Sequence, residues 1–392
     1  MPERPPFLAL LAGQPYRLLF PTGALLAIHG TLLWPLHAWG ILPAYPGAAH
    51  ARVMTEGFLA CFVFGFLGTA VPRLIGAPGF TVVEAGSLAA LLVAASALHT
   101  AGHPLWGDQM FLLAMLCLVA SLGIRAIVRR DLPPPSFALA AMGLLSALAG
   151  ATLFIFGPLA GLPPWHDSLA RLLLYQGFLL LPVMGVGAFL LPRFFDLPNR
   201  QDFPEALAPP PGWTAGAAAA LAAGATVLAS FAIETLGHRA AANLLRLAAA
   251  AGFILWQLPL HRARPTGTIS RCAATAIVLL LCAFAAGAFA PPPAVAWAHL
   301  LFIGGFGILT VAVATRVVLG HGGASHLFRG RVRSLRAFAI LAIIALATRI
   351  SADFLPEIRL THLAYAALAW ILGIAIWAAA VLPRTAAPDH DD

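Results

Sequence analysis

Lysine is missing from this chain of 392 residues, and arginine supplies all 23 of its basic side chains against 15 acids. Charged residues make up only 10% of the sequence and hydrophobic ones 60%, with a mean hydropathy of +0.88. So little polar material cannot cover the core of a soluble protein of this length, which excludes a soluble globular enzyme. The missing lysine reads as a coding bias rather than a mechanism. The net charge of +8 gathers on no single face, so it does not point to nucleic acid. Cysteine is scarce as well. Cys61, Cys117, Cys272 and Cys282 stand far apart in apolar runs and form no C-x-x-C pair, so they read as small packing residues. No hydrolytic triad, phosphate-binding loop or soluble zinc motif is present. Met1 to Arg17 lacks an apolar core, so no cleavable signal is expected there.

What is there is a series of long apolar runs. A bilayer core of roughly 30 Å calls for about 20 apolar residues per helix. Runs of that length fall at approximately 19–40, 54–74, 84–101, 108–128, 137–161, 169–191, 213–234, 240–260, 270–290, 295–318, 335–354 and 360–382. The expected fold is therefore all-α: a polytopic bundle of twelve transmembrane helices forming one integral membrane domain over 1–392. Proline marks several boundaries, at Pro133–Pro135, Pro209–Pro211 and Pro291–Pro293. The arginines set a direction. With twelve spans, only Arg52, Arg171, Arg239, Arg246, Arg349 and Arg359 fall on one side, leaving seventeen of the 23, Arg4 included, on the other. By the positive-inside tendency, both termini are expected in the cytoplasm and the protein in the bacterial inner membrane. The run Arg329, Arg331, Arg333 and Arg336 reads first as part of that topology signal, with anionic headgroups as the alternative.

Thirteen histidines are many for so apolar a chain. His37, His50, His99, His103, His166, His238, His299 and His362 are expected toward the outer side. His261, His321, His326 and His390 are expected toward the inner side, with His29 deeper in the first helix. An imidazole can stay neutral in a half-buried site and ligate iron or copper through one ring nitrogen. His50 and His299 open the second and tenth helices at similar depth, and His99 and His362 also share a level. His299 and His321 are 22 residues apart, roughly 33 Å at helical rise, so they cannot share a metal along one straight helix. Intramembrane charges are the other signal. Glu56 lies one turn after Arg52 and Asp353 one turn after Arg349, spacings suited to ion pairs. Arg316 interrupts an otherwise apolar helix. Glycines at 57, 65 and 68, at 185 and 187, and at 304, 305 and 307 mark the second, sixth and tenth helices as an inner packing ring.

Two segments carry a family resemblance. Ala298-His299-Leu300 through Gly304-Gly305-Phe306-Gly307, followed by Thr315-Arg316-Val317-Val318-Leu319-Gly320-His321-Gly322, resembles the most distinctive stretch of the NnrS family. A second match runs from His50-Ala51 through Met54-Thr55-Glu56-Gly57-Phe58 to Thr69-Ala70-Val71-Pro72. The resemblance implies a twelve-helix bacterial membrane protein that carries haem and copper and takes part in the response to nitric oxide or in denitrification. It implies His50, His299 and His321 as metal ligands with Arg316 beside the cofactor, while Arg52, standing where the family has a second histidine, is expected to pair with a haem propionate or with Glu56. The chain departs from the family pattern where Arg52 replaces a second histidine and Val53 a glutamate. The ninth helix, where relatives often carry a histidine, offers only Cys272 and Cys282.

Two other functions share this architecture. A secondary transporter also has twelve helices with both ends inside, although the linker Ile75-Gly76-Ala77-Pro78-Gly79 lacks the charges of major-facilitator transporters. A clear two-fold repeat of six helices would mark that reading. A haem–copper redox enzyme would need histidines deep in the second, sixth, seventh and tenth helices. The sixth and seventh have none before His238.

Overall fold

The computed structural model describes residues 10–259, 262, 264–290 and 293–388. Arg4, His261, Pro291, Pro292 and His390 lie outside the described residues. Twelve helices are long and apolar enough to cross a membrane: α1 (Tyr16–Ala38), α2 (Gly47–Leu74), α3 (Val82–Thr100), α4 (Pro104–Ile127), α5 (Phe137–Leu159), α6 (Trp165–Phe194), α7 (Trp213–Thr235), α8 (Arg239–Gln257), α9 (Thr268–Phe289), α10 (Ala294–His321), α11 (Arg333–Ser351) and α12 (Pro356–Ala386). The count matches the expectation from hydropathy. The bounds differ most at α2, which starts at Gly47 rather than 54, because His50 and Arg52 depress the hydropathy of a stretch that is helical all the same.

Burial separates the helices into two classes. The 18-residue apolar windows of α2, α6 and α10 are 78%, 67% and 67% buried, more than that of any other span, so these three form the inner layer that their glycines predicted. They converge on a small apolar cavity of about 90 Å³, walled by Phe62 and Phe66 of α2, Val183 and Val186 of α6, and Phe306 and Leu309 of α10. Close approach explains several of the glycines. A Cβ on Gly185 would lie 2.5 Å from the Ser136 carbonyl oxygen, inside van der Waals contact, so α6 could not hold its distance from the start of α5.

The contacts repeat every four helices. In each group of four the first helix packs on the second and the third on the fourth, and α4 meets α5, α8 meets α9, and α12 closes back on α1. The repeating unit thus holds four helices, rather than the six of a two-fold transporter. Its second helix carries a common feature: α2, α6 and α10 each contain a π-helical stretch, at Val53–Leu59, Leu172–Gly177 and Leu300–Gly307. A π turn inserts an extra residue and shifts the helical face. Each stretch follows a short α segment ending in Arg52, Arg171 or His299, so all three lie toward the same end of the bundle.

Candidate functional site

The histidines that open α2 and α10 line one cavity. His50 and His299 share a chamber of about 470 Å³ bounded by α1, α2, α6, α10, α11 and α12. Its walls are largely aromatic and aliphatic, including Trp34, Phe58, Tyr175, Phe302, Leu363 and Trp370. Arg171, Arg349 and Arg359 stand along the chamber, Arg171 paired with Asp167 and the other two sharing Asp353. The side chains of Arg171 and Arg359 are about half exposed, which puts them at its mouth.

Local hydrogen bonds set the ring chemistry of both histidines. His50 Nδ1 lies 2.9 Å from the Gly30 carbonyl oxygen, and His299 Nδ1 lies 2.8 Å from that of Val295. A carbonyl only accepts, so each Nδ1 carries the proton and each Nε2 keeps its lone pair. An imidazole oriented in this way leaves Nε2 available to a metal. Met54, one turn beyond His50, places a thioether in the same wall, and its Sδ packs where Gly30 leaves room. The cavity size falls within the roughly 300–1,000 Å³ typical of cofactor sites. Two imidazoles, apolar walls and arginines at the mouth suit a flat apolar ring system bearing anionic groups at one edge, which is the chemistry of haem.

Beside the cavity lies a buried ionic cluster. Arg52 Nη1 is 3.3 Å from Glu56 Oε1, and its Nη2 is 3.1 Å from Asp108 Oδ2. His99 Nε2 lies 2.9 Å from Glu56 Oε2 and 3.7 Å from Asp108 Oδ1. The Arg52 guanidinium also rests 3.5 Å from the centroid of the Phe154 ring. Glu56, His99 and Asp108 are 1%, 4% and 4% exposed, and among the described residues they are the one trio whose ligating atoms all fall within 4.8 Å. One imidazole and two carboxylates can hold a small hard cation, but Arg52 already supplies a positive charge to both carboxylates. The arrangement is that of a buried ion network joining α2, α3 and α4.

The other candidate residues sit elsewhere. His321 ends α10 at the opposite end of the bundle, stacked on Tyr16 with ring centroids 5.1 Å apart, and Arg73 Nη1 lies 3.3 Å from its Nδ1. Arg316 lies between Phe194 and Phe328, with its guanidinium carbon 4.8 and 4.2 Å from their ring centroids. Neither lines the chamber of His50 and His299, and Arg52 faces its ion partners rather than that chamber. His99 and His362 are not brought together, since His362 Nδ1 meets Ser351 Oγ at 2.9 Å. His37 and His166 make the same Nδ1-to-carbonyl bond, to Leu42 and Pro163, and His29 bonds Thr100, but none of the three lines the chamber. Sequence reasoning missed Asp108 as a partner of Arg52 and His99 as a partner of Glu56. No spacing pattern could have found them, because these residues come from three helices.

No curated protein matches this chain. A family model described as NnrS protein matches residues 10–388, nearly the whole length. With the twelve-helix bundle and the two motif segments in place, the chain belongs to the NnrS family.

Proposed function

We propose that this protein binds haem in the chamber between α2, α10 and α12, with His50 and His299 as the iron ligands, and that it serves the bacterial response to nitric oxide. The observation that carries the reading is the matched pair of imidazoles. They come from helices far apart in sequence, line one cofactor-sized cavity, and each spends Nδ1 on a backbone carbonyl. Bound haem would supply redox-active iron, and a small diatomic ligand could reach it only where one of the two imidazoles gives way. The chain's own residues hold and shield it: Trp34, Phe58 and Trp370 exclude water, while Arg171 and Arg359 offer cations to the carboxylates of the ring. Arg52 acts through the ion network that anchors α2, and His321 and Arg316 fall outside this ligand set.

Copper is the second reading, favoured by Met54, since imidazole and thioether together suit copper. Placement in the inner membrane with both termini in the cytoplasm is part of the same proposal and rests on the arginine distribution. No catalytic step is assigned. The test is purification from haem-supplied cells with an optical spectrum and elemental analysis. A Soret band lost in His50→Ala and in His299→Ala, and kept in His321→Ala, is expected. Copper without a Soret band selects the second reading, and neither metal in the parent protein ends both.

A further inference from the structure

A second large cavity lies away from the histidines, at the end rich in arginine. It encloses about 700 Å³ between the start of α9, the start of α11 and the linker that precedes α11. Arg271, Arg329, Arg331 and Arg336 stand along it, and Ile308, Ile340, Ile343 and Ile344 form its apolar part. On α11 the order is informative. Arg336, Ile340 and Ile343–Ile344 follow at intervals of three and four, which puts them on one stripe of the helix. The cavity therefore runs from a cationic end at the helix start to an isoleucine trough further along. Ile340, Ile343 and Ile344 are 52%, 40% and 48% exposed, so the trough opens to the hydrocarbon.

The linker is held in place by its own bonds. Thr268 N–H donates to the Gly330 carbonyl at 3.1 Å and Val332 N–H to Thr268 Oγ1 at 3.1 Å. A Cβ on Gly267 would lie 2.9 Å from the Phe328 carbonyl oxygen, so the close approach of linker and α9 depends on that glycine. Arg329 has a carboxylate partner, Asp196 at 2.7 Å. Among the described residues, Arg271, Arg331 and Arg336 have none.

We propose that this cleft is a binding site for an anionic phospholipid, with the phosphate on Arg271, Arg331 and Arg336 and one acyl chain along Ile340, Ile343 and Ile344. Guanidinium forks pair with phosphate oxygens through two hydrogen bonds at a time. A free phosphate would use only the cationic end. The trough adjoining it fits an acyl chain, and the site commits to lipid on that ground. The arginines that mark topology would then also select the lipid around α9 and α11.

The experiment is native mass spectrometry of the full-length protein in detergent, titrated with phosphatidylglycerol, phosphatidylcholine or inorganic phosphate. Phosphatidylglycerol should bind more tightly than either of the others. Each arginine near an anionic lipid contributes about a fivefold factor, so Arg331→Gln with Arg336→Gln should weaken phosphatidylglycerol about 25-fold and phosphatidylcholine by less, because the choline cation offsets the charge of its phosphate. Should that pair fail to fold, Arg271→Gln alone should weaken phosphatidylglycerol about fivefold. Ala339→Trp, which fills the trough, should reduce lipid binding while leaving all three arginines in place. Equal binding of the two lipids, inorganic phosphate binding as tightly as phosphatidylglycerol, or unaltered phosphatidylglycerol binding in the folded arginine variants would overturn the assignment.

Discussion

Arg52 and Asp108 meet at 3.1 Å across α2 and α4, and the pair is closed off from solvent by Phe154, whose ring faces the guanidinium. Removing one member of a buried pair leaves the other charge without compensation, at a cost of about 3–5 kcal/mol. Arg52→Ala should therefore lower the unfolding midpoint in detergent sharply, leaving Glu56 and Asp108 as two buried carboxylates side by side. Combining it with Glu56→Gln and Asp108→Asn should recover much of the loss. A single variant as stable as the parent would mean that the network contributes nothing.

Gly30 links the packing of α1 to the geometry of His50. A Cβ there would lie 2.8 Å from Val53 Cγ1 and 3.1 Å from Met54 Sδ, and the Gly30 carbonyl accepts from His50 Nδ1. Gly30→Ala should cost about 1–3 kcal/mol through overpacking and push the start of α2 away from α1. Haem titration of the purified variant should show weaker binding than in a distant control such as Gly86→Ala, a position where the added Cβ meets nothing within 4 Å.

Thr315 has a structural duty in the α10 motif. Trp377 Nε1 donates to Thr315 Oγ1 at 2.8 Å, and both side chains are fully buried. Thr315→Val should leave the indole N–H unpaired and cost about 1–3 kcal/mol. Thr315→Ser should retain most of the stability, because the hydroxyl remains. Equal melting curves for the two variants would contradict this.

Arg316 ties the end of α10 to α6 and to the following linker through Phe194 and Phe328. Arg316→Leu should lose about 0.5–2 kcal/mol of cation–π attraction and increase proteolytic nicking between residues 322 and 332. Arg316→Lys should fall between the parent and the leucine variant. If the haem spectrum of Arg316→Leu changes while its nicking does not, the arginine acts on the cofactor instead.

Much of this protein was legible in the order of its residues. Each span is a local property: some twenty apolar side chains in a row must satisfy their backbone groups within one helix once they enter lipid. The glycines of α2, α6 and α10 also announced the inner layer, since only a small residue permits the close approach that burial there requires. The pairs Arg52–Glu56 and Arg349–Asp353 were visible because one helical turn joins their members. The tertiary structure alone decided the rest. That His50 meets the chamber of His299, that Arg52 turns to Asp108, and that Arg271 stands beside Arg336 all depend on which helices become neighbours. Neighbour choice is set by the summed packing of whole faces and by the four-helix repeat, not by any local run of residues. The π-helical stretches belong to the same class, because an extra residue in a turn is stabilised by what packs against it.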